Sequence, residues 1–157
     1  MVEMNVVGVA LDARTTTPVI ILKDEEGKKI LPIWVGIFEA QAILFGLEKI
    51  ELPRPFTHDL LKNVIENLGA KVTRIVINAL RDNTYYAQIG LKVNSTDLEI
   101  DSRPSDAIAL ALRTSSPIYV PEPILNAAAR PSQPIDEEEV EKFRQMLKDL
   151  KPGSIDQ

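Results

Sequence analysis

Residues 101–111 constrain the fold of this chain most, because they predict a strand that ends where a helix begins. Proline is favoured in the first turn of a helix, so Pro104 marks the start of the helix that the following Ala, Ile and Leu residues favour. Backbone N–H groups at a helix N-terminus lack partners and carry partial positive charge, which suits them to bind phosphate or carboxylate. Two carboxylates, a guanidinium and two hydroxyls are concentrated at this junction. The junction is therefore the first candidate for a functional site.

Hydrophobic periodicity and turn residues divide the rest of the chain into short strands and helices. The predicted strands are residues 2–13, 19–23, 29–34, 71–79, 85–93, 98–100 and 118–120. The predicted helices are residues 36–49, 57–68, 104–113 and 136–150. In the second helix, Thr57 is the expected N-cap and the side chains expected to face the core are Leu61, Val64, Ile65 and Leu68. The pattern predicts an α+β fold with a mixed, mainly antiparallel sheet, surface helices and a C-terminal helix.

The length of 157 residues suits one domain, which we assign to residues 1–125. Residues 126–157 are interpreted as a Pro-rich spacer and an acidic helix, an appendage and not a second domain. This helix carries an apolar stripe of Val140, Phe143, Met146, Leu147 and Leu150. The stripe is expected either to fold back on the body or to pair with a second copy of the chain. A homo-oligomer, such as a dimer, is therefore expected.

The overall charge argues against binding nucleic acid by phosphate neutralisation alone, since such proteins are usually basic. The chain has 18 Lys and Arg residues against 23 Asp and Glu residues, a net charge of −5. Residues 136–141 contain five of these acids, so the body is near neutral and a local basic patch stays open. The aromatic content of 5% is low for a platform on which bases stack.

The missing residue types and segments narrow the possible chemistry and location. The chain has no cysteine, which excludes disulfides, thiolate zinc sites and cysteine nucleophiles. With a single histidine, a zinc site with three protein ligands is not expected. No apolar run approaches the roughly 18 residues that cross a bilayer, and no signal peptide is visible, so a cytoplasmic protein with no membrane partner is expected. An oxygen-ligated metal, or acid–base catalysis by His58 and carboxylates, remains as a route to hydrolysis.

The junction at residues 101–106 supports two interpretations. Asp101 and Asp106 could share a divalent cation, since Mg²⁺ and Mn²⁺ prefer oxygen ligands, while Arg103 clamps a phosphate. Ser105 would donate a hydrogen bond to the phosphate or cap the helix. In the purely structural alternative, Asp106 completes a capping arrangement with Ser102 or Arg103, and Asp101 pairs with Arg103.

Two further helix starts carry polar residues. Glu39 lies in the first turn of its helix, where an acid is explained by the helix dipole alone. His58 lies near the start of the second helix, behind Arg54 and beside Asp59, and the dipole there favours a neutral imidazole suited to a general base or a metal ligand. The structural alternative is an exposed histidine in the first turn with Asp59 as the dipole partner.

Three separated motifs together resemble the bifunctional nuclease domain family. They are residues 31–40, 53–60 and 101–110, in the family's order, and the resemblance covers roughly residues 2–125. Ser102 stands where the family usually has alanine. The resemblance implies a nuclease, since plant relatives are described as having both DNase and RNase activity, and it implies no settled catalytic mechanism. The family's polar positions correspond here to Glu39, His58, Asp59, Asp101, Arg103, Ser105 and Asp106.

The first hypothesis is a nuclease that hydrolyses phosphodiester bonds of DNA, RNA or both. The catalytic residues in this hypothesis are His58, oriented by Asp59, and Asp106. The phosphate-binding residues are Arg54, Arg103 and Ser105. The ligands for Mg²⁺ or Mn²⁺ are Asp101, Asp106 and Glu39. The hypothesis requires the three helix starts to converge; the alternative is a non-enzymatic, oligomeric ligand-binding or regulatory module that holds a small anion.

Overall fold

The computed structural model describes residues 1–128 and 137–150 of the chain. The strands are β1 (Val2–Asp12), β2 (Thr17–Asp24), β3 (Ile30–Trp34), β4 (Ala70–Arg81), β5 (Thr84–Val93), β6 (Thr96–Ser102) and β7 (Ile118–Val120). The helices are α1 (Ile37–Leu47), α2 (Thr57–Asn67), α3 (Pro104–Thr114), α4 (Glu122–Ala127) and α5 (Glu137–Asp149). Every predicted strand and helix is present, and α4 is an additional short helix that spans the end of the predicted domain and the first two residues of the predicted spacer.

The seven strands form one sheet in the order β3-β2-β1-β7-β4-β5-β6. Strands β4 and β7 are parallel, and all other neighbouring pairs are antiparallel. A two-residue turn joins β4 to β5, and its residues Asp82 and Asn83 have φ of 50° and 62°, as a type I′ hairpin turn requires. The predicted mixed, mainly antiparallel α+β fold is confirmed.

Helices α1 and α3 pack against each other beside the sheet, and α2 packs against α3 and β4. The close approach of α1 and α3 depends on Gly46, because a Cβ there would lie 2.8 Å from Arg113 Nη1 and 3.1 Å from Leu112 Cβ. The core between the helices and the sheet includes the fully buried side chains of Ile20, Leu22, Leu31, Ile43, Leu44, Ile75, Ile108 and Leu110. This packing holds the starts of the helices near one another.

Helix α2 buries less of its apolar stripe than its periodicity predicts. Leu61, Val64 and Leu68 are 37%, 46% and 77% exposed, so the prediction that they face the core is wrong. Ile65 alone of the predicted set packs against the core. The helix lies at the margin of the fold, where α3 and β4 cover only a narrow strip of it. Its N-cap is Phe56, one residue before the predicted Thr57.

Helix α5 folds back on the body. Phe143 and Leu147 are buried in the main core, and α5 contacts β1 and α1. The Gln41 side chain donates hydrogen bonds from Nε2 to the carbonyl oxygens of Leu147, at 3.0 Å, and of Leu150. Glu48, at the end of α1, forms ion pairs with two cations of α5, one of them Lys148 at 2.8 Å. The predicted cap Asp136 and the spacer at residues 129–136 lie outside the described residues, and the domain boundary at residue 125 stays a prediction.

Leu147→Ala is expected to destabilise the whole protein, because Leu147 is fully buried in the same core as the sheet. A buried Leu→Ala change of this kind costs about 2–5 kcal/mol. Met146→Ala is the matched control, since Met146 is 47% exposed on the neighbouring position, and its effect should stay within about 0.5 kcal/mol. Urea unfolding monitored by circular dichroism measures both. Equal midpoints for Leu147→Ala and the wild type would show that α5 is not part of the cooperative unit.

In the described part of the chain, none of the helices has both the length and the apolar character required to span a membrane.

Candidate active site at three helix starts

The starts of α1, α2 and α3 meet around Asp106 and its partner Arg103. His58 Nε2 lies 3.0 Å from Asp106 Oδ1. The Arg103 guanidinium donates to both oxygens of the same carboxylate, from Nε to Oδ2 at 3.0 Å and from Nη2 to Oδ1 at 3.1 Å. Arg103 Nη1 also donates to Glu39 Oε1, at 3.3 Å. Glu39, His58, Arg103 and Asp106 therefore form one cluster, called the Asp106 cluster below.

The pKa of Asp106 reflects opposing effects. Partial burial opposes ionisation, but hydrogen bonds from Arg103 and His58, together with the positive charge of Arg103, outweigh it, and the pKa lies below its ordinary value. Asp106 is therefore ionised at neutral pH and can only accept hydrogen bonds.

The ionised Asp106 carboxylate determines the tautomer of the neutral His58 ring. Because Asp106 accepts, the His58 Nε2 carries the proton of the bond between them, and in the neutral ring Nδ1 carries the lone pair. The His58 side chain is only 13% exposed, so its orientation is fixed by packing as well as by this bond. The pair has the arrangement of a carboxylate that orients a histidine base.

Asp59 does not orient His58, and that prediction is wrong. One Asp59 oxygen accepts from the backbone N–H of Phe56 at 3.0 Å, which caps the start of α2. The other accepts from Arg113 Nε at 2.9 Å. Adjacent residues on a helix point about 100° apart, so Asp59 turns toward Arg113 when His58 faces Asp106.

Arg113 is a residue that the sequence interpretation missed. Its side chain is 7% exposed and links the helices from inside, because Nη1 also donates to Ala109 O at 2.9 Å and lies close to Gly46. The available signal was its position seven residues after Asp106, which is two helical turns and therefore the same face of α3. Arg113 and Asp59 hold α2 against α3 and so position His58 beside Asp106.

The absence of a side chain at Gly36 leaves room for the Glu39 carboxylate. A Cβ at residue 36 would lie 2.2 Å from Glu39 Oε2, so only glycine leaves room for the carboxylate to fold back over the start of α1. This position brings Glu39 Oε1 within reach of Arg103. Glu39 is therefore more than a dipole partner, because it ties α1 to the residue that precedes α3.

Of the predicted site residues outside the Asp106 cluster, Asp101 and Arg54 also have no side-chain hydrogen bond or ion pair, in the described part of the chain, that would bring them to the site. Asp101 pairs with Gln88 across β5 and β6, whereas its neighbour Ile100 pairs with the core residue Ile89. Side chains alternate along a strand, so Asp101 points to the sheet face opposite the core, where it is exposed. Arg54 is exposed in the connector before α2 and is not among the residues that line the depressions beside the cluster.

The predicted set of three metal ligands is not assembled. Among residues 1–128 and 137–150, no three His, Asp or Glu side chains are grouped so that they could hold a metal ion. Asp101 is separated by the alternation of β6, while Glu39 and Asp106 share the Arg103 guanidinium. Mg²⁺ can bind through one or two carboxylates when waters and substrate phosphates complete its shell, but Glu39 Oε1 and both Asp106 oxygens already lie at hydrogen-bond distance from Arg103 or His58. The Mg²⁺ or Mn²⁺ site stays a prediction, in which Glu39 and Asp106 would be the ligands.

Ser105 has a distinctive environment at the start of α3. It is 7% exposed, and within the described residues its hydroxyl makes no hydrogen bond. It does not cap the helix, whose N-cap is Arg103 without a side-chain bond. Pro104 occupies the first helical position, and the N–H groups of Ser105 and Asp106 follow it in the first turn, where helical N–H groups lack intrahelical partners. Because Ser105 also lines a surface depression, its hydroxyl and the helix start together favour a bound anion.

Two depressions flank Arg103. The first, of about 520 Å³, contains His58 and Asp106 and is walled by Phe38 and Phe56. The second, of about 420 Å³, contains Ser105 and is walled by Trp34 and Tyr85. Glu39 and Arg103 line both, so their ion pair forms the ridge between them. We call them the His58 depression and the Trp34 depression.

Asp106 should make stability sensitive to acid. A pKa that is lowered on folding means that the folded state binds fewer protons than the unfolded state, so the carboxylate stabilises the protein above the ordinary Asp range. That contribution is lost as the pH falls through about 4 and below. The melting temperature of Asp106→Asn should therefore fall by less than that of the wild type when the pH is lowered from 7 to 3. Asp101→Asn is the control and should follow the wild type; parallel curves for all three proteins would contradict the assignment.

Comparison with known proteins places this geometry in context. The model of the bifunctional nuclease domain family matches residues 20–133. An uncharacterized protein of Mycobacterium tuberculosis H37Rv is 35% identical over 164 residues, covering 99% of this chain and 98% of its own length. Bifunctional nuclease 1 of Oryza sativa subsp. japonica is 33% identical over 105 residues, and that of Arabidopsis thaliana is 31% identical over 107. Those alignments cover 64% and 66% of this chain but only 32% and 33% of the plant proteins.

Proposed function

Because this chain belongs to the bifunctional nuclease domain family, we propose that it hydrolyses phosphodiester bonds of nucleic acid at the Asp106 cluster. The observation that carries the proposal is the position of the Asp106 carboxylate between His58 and Arg103. The start of α2 supplies His58 as a proton acceptor, and the start of α3 supplies Arg103 as a donor for an anion. The Asp106 carboxylate fixes both side chains. The plant relatives that are named bifunctional nucleases support the choice of substrate.

The phosphate is bound at the start of α3. Arg103 is 63% exposed and can present guanidinium N–H groups to phosphate oxygens, as this planar group does in many proteins. The Ser105 hydroxyl and the N–H groups of the first turn of α3 lie beside it. The phosphate would accept hydrogen bonds from those N–H and O–H groups that have no partner inside the fold.

His58 acts on the attacking water. With its Nε2 proton held by Asp106, the Nδ1 lone pair of the neutral imidazole takes a proton from water as the water attacks phosphorus. In an in-line displacement the leaving oxygen lies on the far side of phosphorus, so it takes its proton from water, and the protonated imidazole then releases its proton to solvent. Asp106 is therefore a positioning residue that keeps the imidazole in one tautomer and stabilises its charged form.

The charge balance of the cluster favours a further positive group. Glu39 and Asp106 bring two negative charges against one on Arg103, so an incoming phosphodiester meets a negative site when His58 is neutral. The N-terminus of α3 offsets roughly half a charge. A hydrated Mg²⁺ or Mn²⁺ held by Glu39 and Asp106 would supply the remainder by neutralising phosphate oxygens.

The test is hydrolysis of labelled single-stranded RNA and DNA by the purified protein, with His58→Ala purified in parallel. Cleavage by the wild type and its loss in the variant is the expected result. Equal cleavage by both proteins would assign the activity to a contaminant. Binding without cleavage in every buffer would favour the alternative, a module that holds an anion and does not hydrolyse it.

The cation is tested separately. Addition of EDTA should lower the rate, and excess Mn²⁺ should restore it, since the cluster is otherwise negative. A rate unaffected by EDTA would contradict the bound cation, while hydrolysis with His58 as the base would still stand.

A further inference from the structure

The aromatic side chains of this chain are unevenly placed. The sequence contains only eight of them, four Phe, three Tyr and one Trp. Four line the two depressions beside Arg103: Phe38 and Phe56 in one, Trp34 and Tyr85 in the other. The low aromatic content that argues against a broad stacking platform is therefore concentrated at the candidate active site.

One aromatic side chain in each depression has surface to offer a ligand. Trp34 is 36% exposed and Phe38 is 48% exposed. They stand on the two sides of Gly36, where β3 ends and α1 begins. The other two are less accessible, since Tyr85 packs against the core and the Phe56 ring packs 6.1 Å from that of Phe45.

The indole of Trp34 is held in place by its polar edge. Its Nε1 donates to Asp12 Oδ2 at 2.8 Å, which satisfies the ring's one hydrogen-bond donor. The surface that remains for a ligand is therefore the face of the ring. An aromatic face of fixed orientation is suited to stacking against a planar, uncharged group.

We infer that Trp34 and Phe38 each stack against one base of an unpaired nucleic-acid strand, on the two sides of the phosphate held at Arg103. This inference rests on the proposed function, whose phosphate site lies on the ridge between the two depressions. Each depression falls within the roughly 300–1,000 Å³ of typical ligand sites. A base inside a duplex is stacked on its neighbours and cannot enter a depression, so the substrate is single-stranded or unpaired at the cleaved step.

The Trp34 subsite can be tested by binding alone, because Trp34 is the single tryptophan and its fluorescence reports on this depression. Titration with adenosine 5′-monophosphate should change the emission saturably, and by clearly more than inorganic phosphate at the same concentrations, since only the nucleotide brings a base to the indole face. No change with the nucleotide, or the same change with phosphate, would overturn the subsite.

Variants test both aromatic faces. Stacking of one base contributes about 1–3 kcal/mol, so Trp34→Leu and Phe38→Leu should each raise the KM for a single-stranded oligonucleotide by roughly 5- to 150-fold. Trp34→Phe keeps an aromatic face but loses the hydrogen bond to Asp12, so it should retain more of the affinity than Trp34→Leu. Tyr86→Leu is the matched control, since Tyr86 is 37% exposed but lies against Arg81 and outside both depressions, and its KM should be unchanged.

The outcomes separate this inference from the proposed function. Cleavage with an unchanged KM in the Leu variants, or equal cleavage of a blunt duplex, would overturn the subsites and leave the nuclease standing. Nucleotide-dependent fluorescence without any cleavage would support the subsites and overturn the nuclease.

Discussion

Replacing His58 with alanine is expected to lower kcat for phosphodiester hydrolysis by roughly 10²- to 10⁴-fold, the usual contribution of a general base. His58 is the imidazole that Asp106 holds at 3.0 Å, and the described residues contain no second histidine that could replace it. Steady-state hydrolysis of a single-stranded oligonucleotide measures the effect. The KM should change little, because the phosphate is bound by Arg103 and the start of α3.

Asp59→Asn is the matched control for His58, because the two residues are adjacent in the first turn of α2. Asp59 pairs with the buried Arg113 but is itself 34% exposed, so removing its charge should cost less than the roughly 3–5 kcal/mol of a fully buried ion pair. Asp59→Asn should therefore lose stability, and because Asp59 acts on His58 only by holding α2 in place, the turnover rate of each folded molecule should fall far less than in His58→Ala. His58→Ala should show the opposite pattern. A rate loss in Asp59→Asn as large as that in His58→Ala would contradict the separation of roles.

Replacing Arg103 with alanine should lower kcat/KM by roughly 10²- to 10³-fold, the cost of removing one preorganised donor from a developing charge. Arg103 also separates Glu39 from Asp106, so its loss leaves two carboxylates facing the phosphate. Arg103→Lys should recover part of the activity, because the charge remains but the forked geometry is lost. Initial rates at low substrate concentration measure the change.

Arg54→Ala provides the control for Arg103. Arg54 is an exposed arginine of the connector before α2, outside the residues that line the two depressions. Its replacement should change kcat/KM by less than about threefold, the scale of one screened surface charge. A loss equal to that of Arg103→Ala would place the phosphate over the connector instead of at the start of α3.

The fold and the convergence of the site were predictable to different degrees. The strands and the start of α3 follow from local signals, namely β-branched runs, turn residues and Pro104. Which face of α2 is buried does not, because its stripe of Leu61, Val64 and Leu68 looks the same whether it meets a core or solvent. Burial at the margin of a fold depends on the arrangement of neighbouring elements.

For the site, too, the sequence predicted some features and not others. The three polar helix starts were recognised from the sequence, but not that Asp106, and not Asp59, holds His58. That pairing joins residues 48 positions apart and depends on how α2 lies against α3. The position of Asp101 away from the cluster could have been predicted from the sequence, since strand alternation puts Asp101 and Ile100 on opposite faces of the sheet. Arg113 was accessible from helical spacing, because it shares a face with Asp106.

The central claim is that His58, Asp106 and Arg103 act together on one phosphate, and the most direct test is NMR of the His58 imidazole. The chain has a single histidine, so its ring ¹⁵N signals are assigned without ambiguity. We expect the proton on Nε2 in the unbound protein, and a saturable shift of the ring signals when a single-stranded phosphorothioate oligonucleotide is added. The shift should be absent in Arg103→Ala. Ring signals that do not move while the oligonucleotide inhibits hydrolysis would contradict the account.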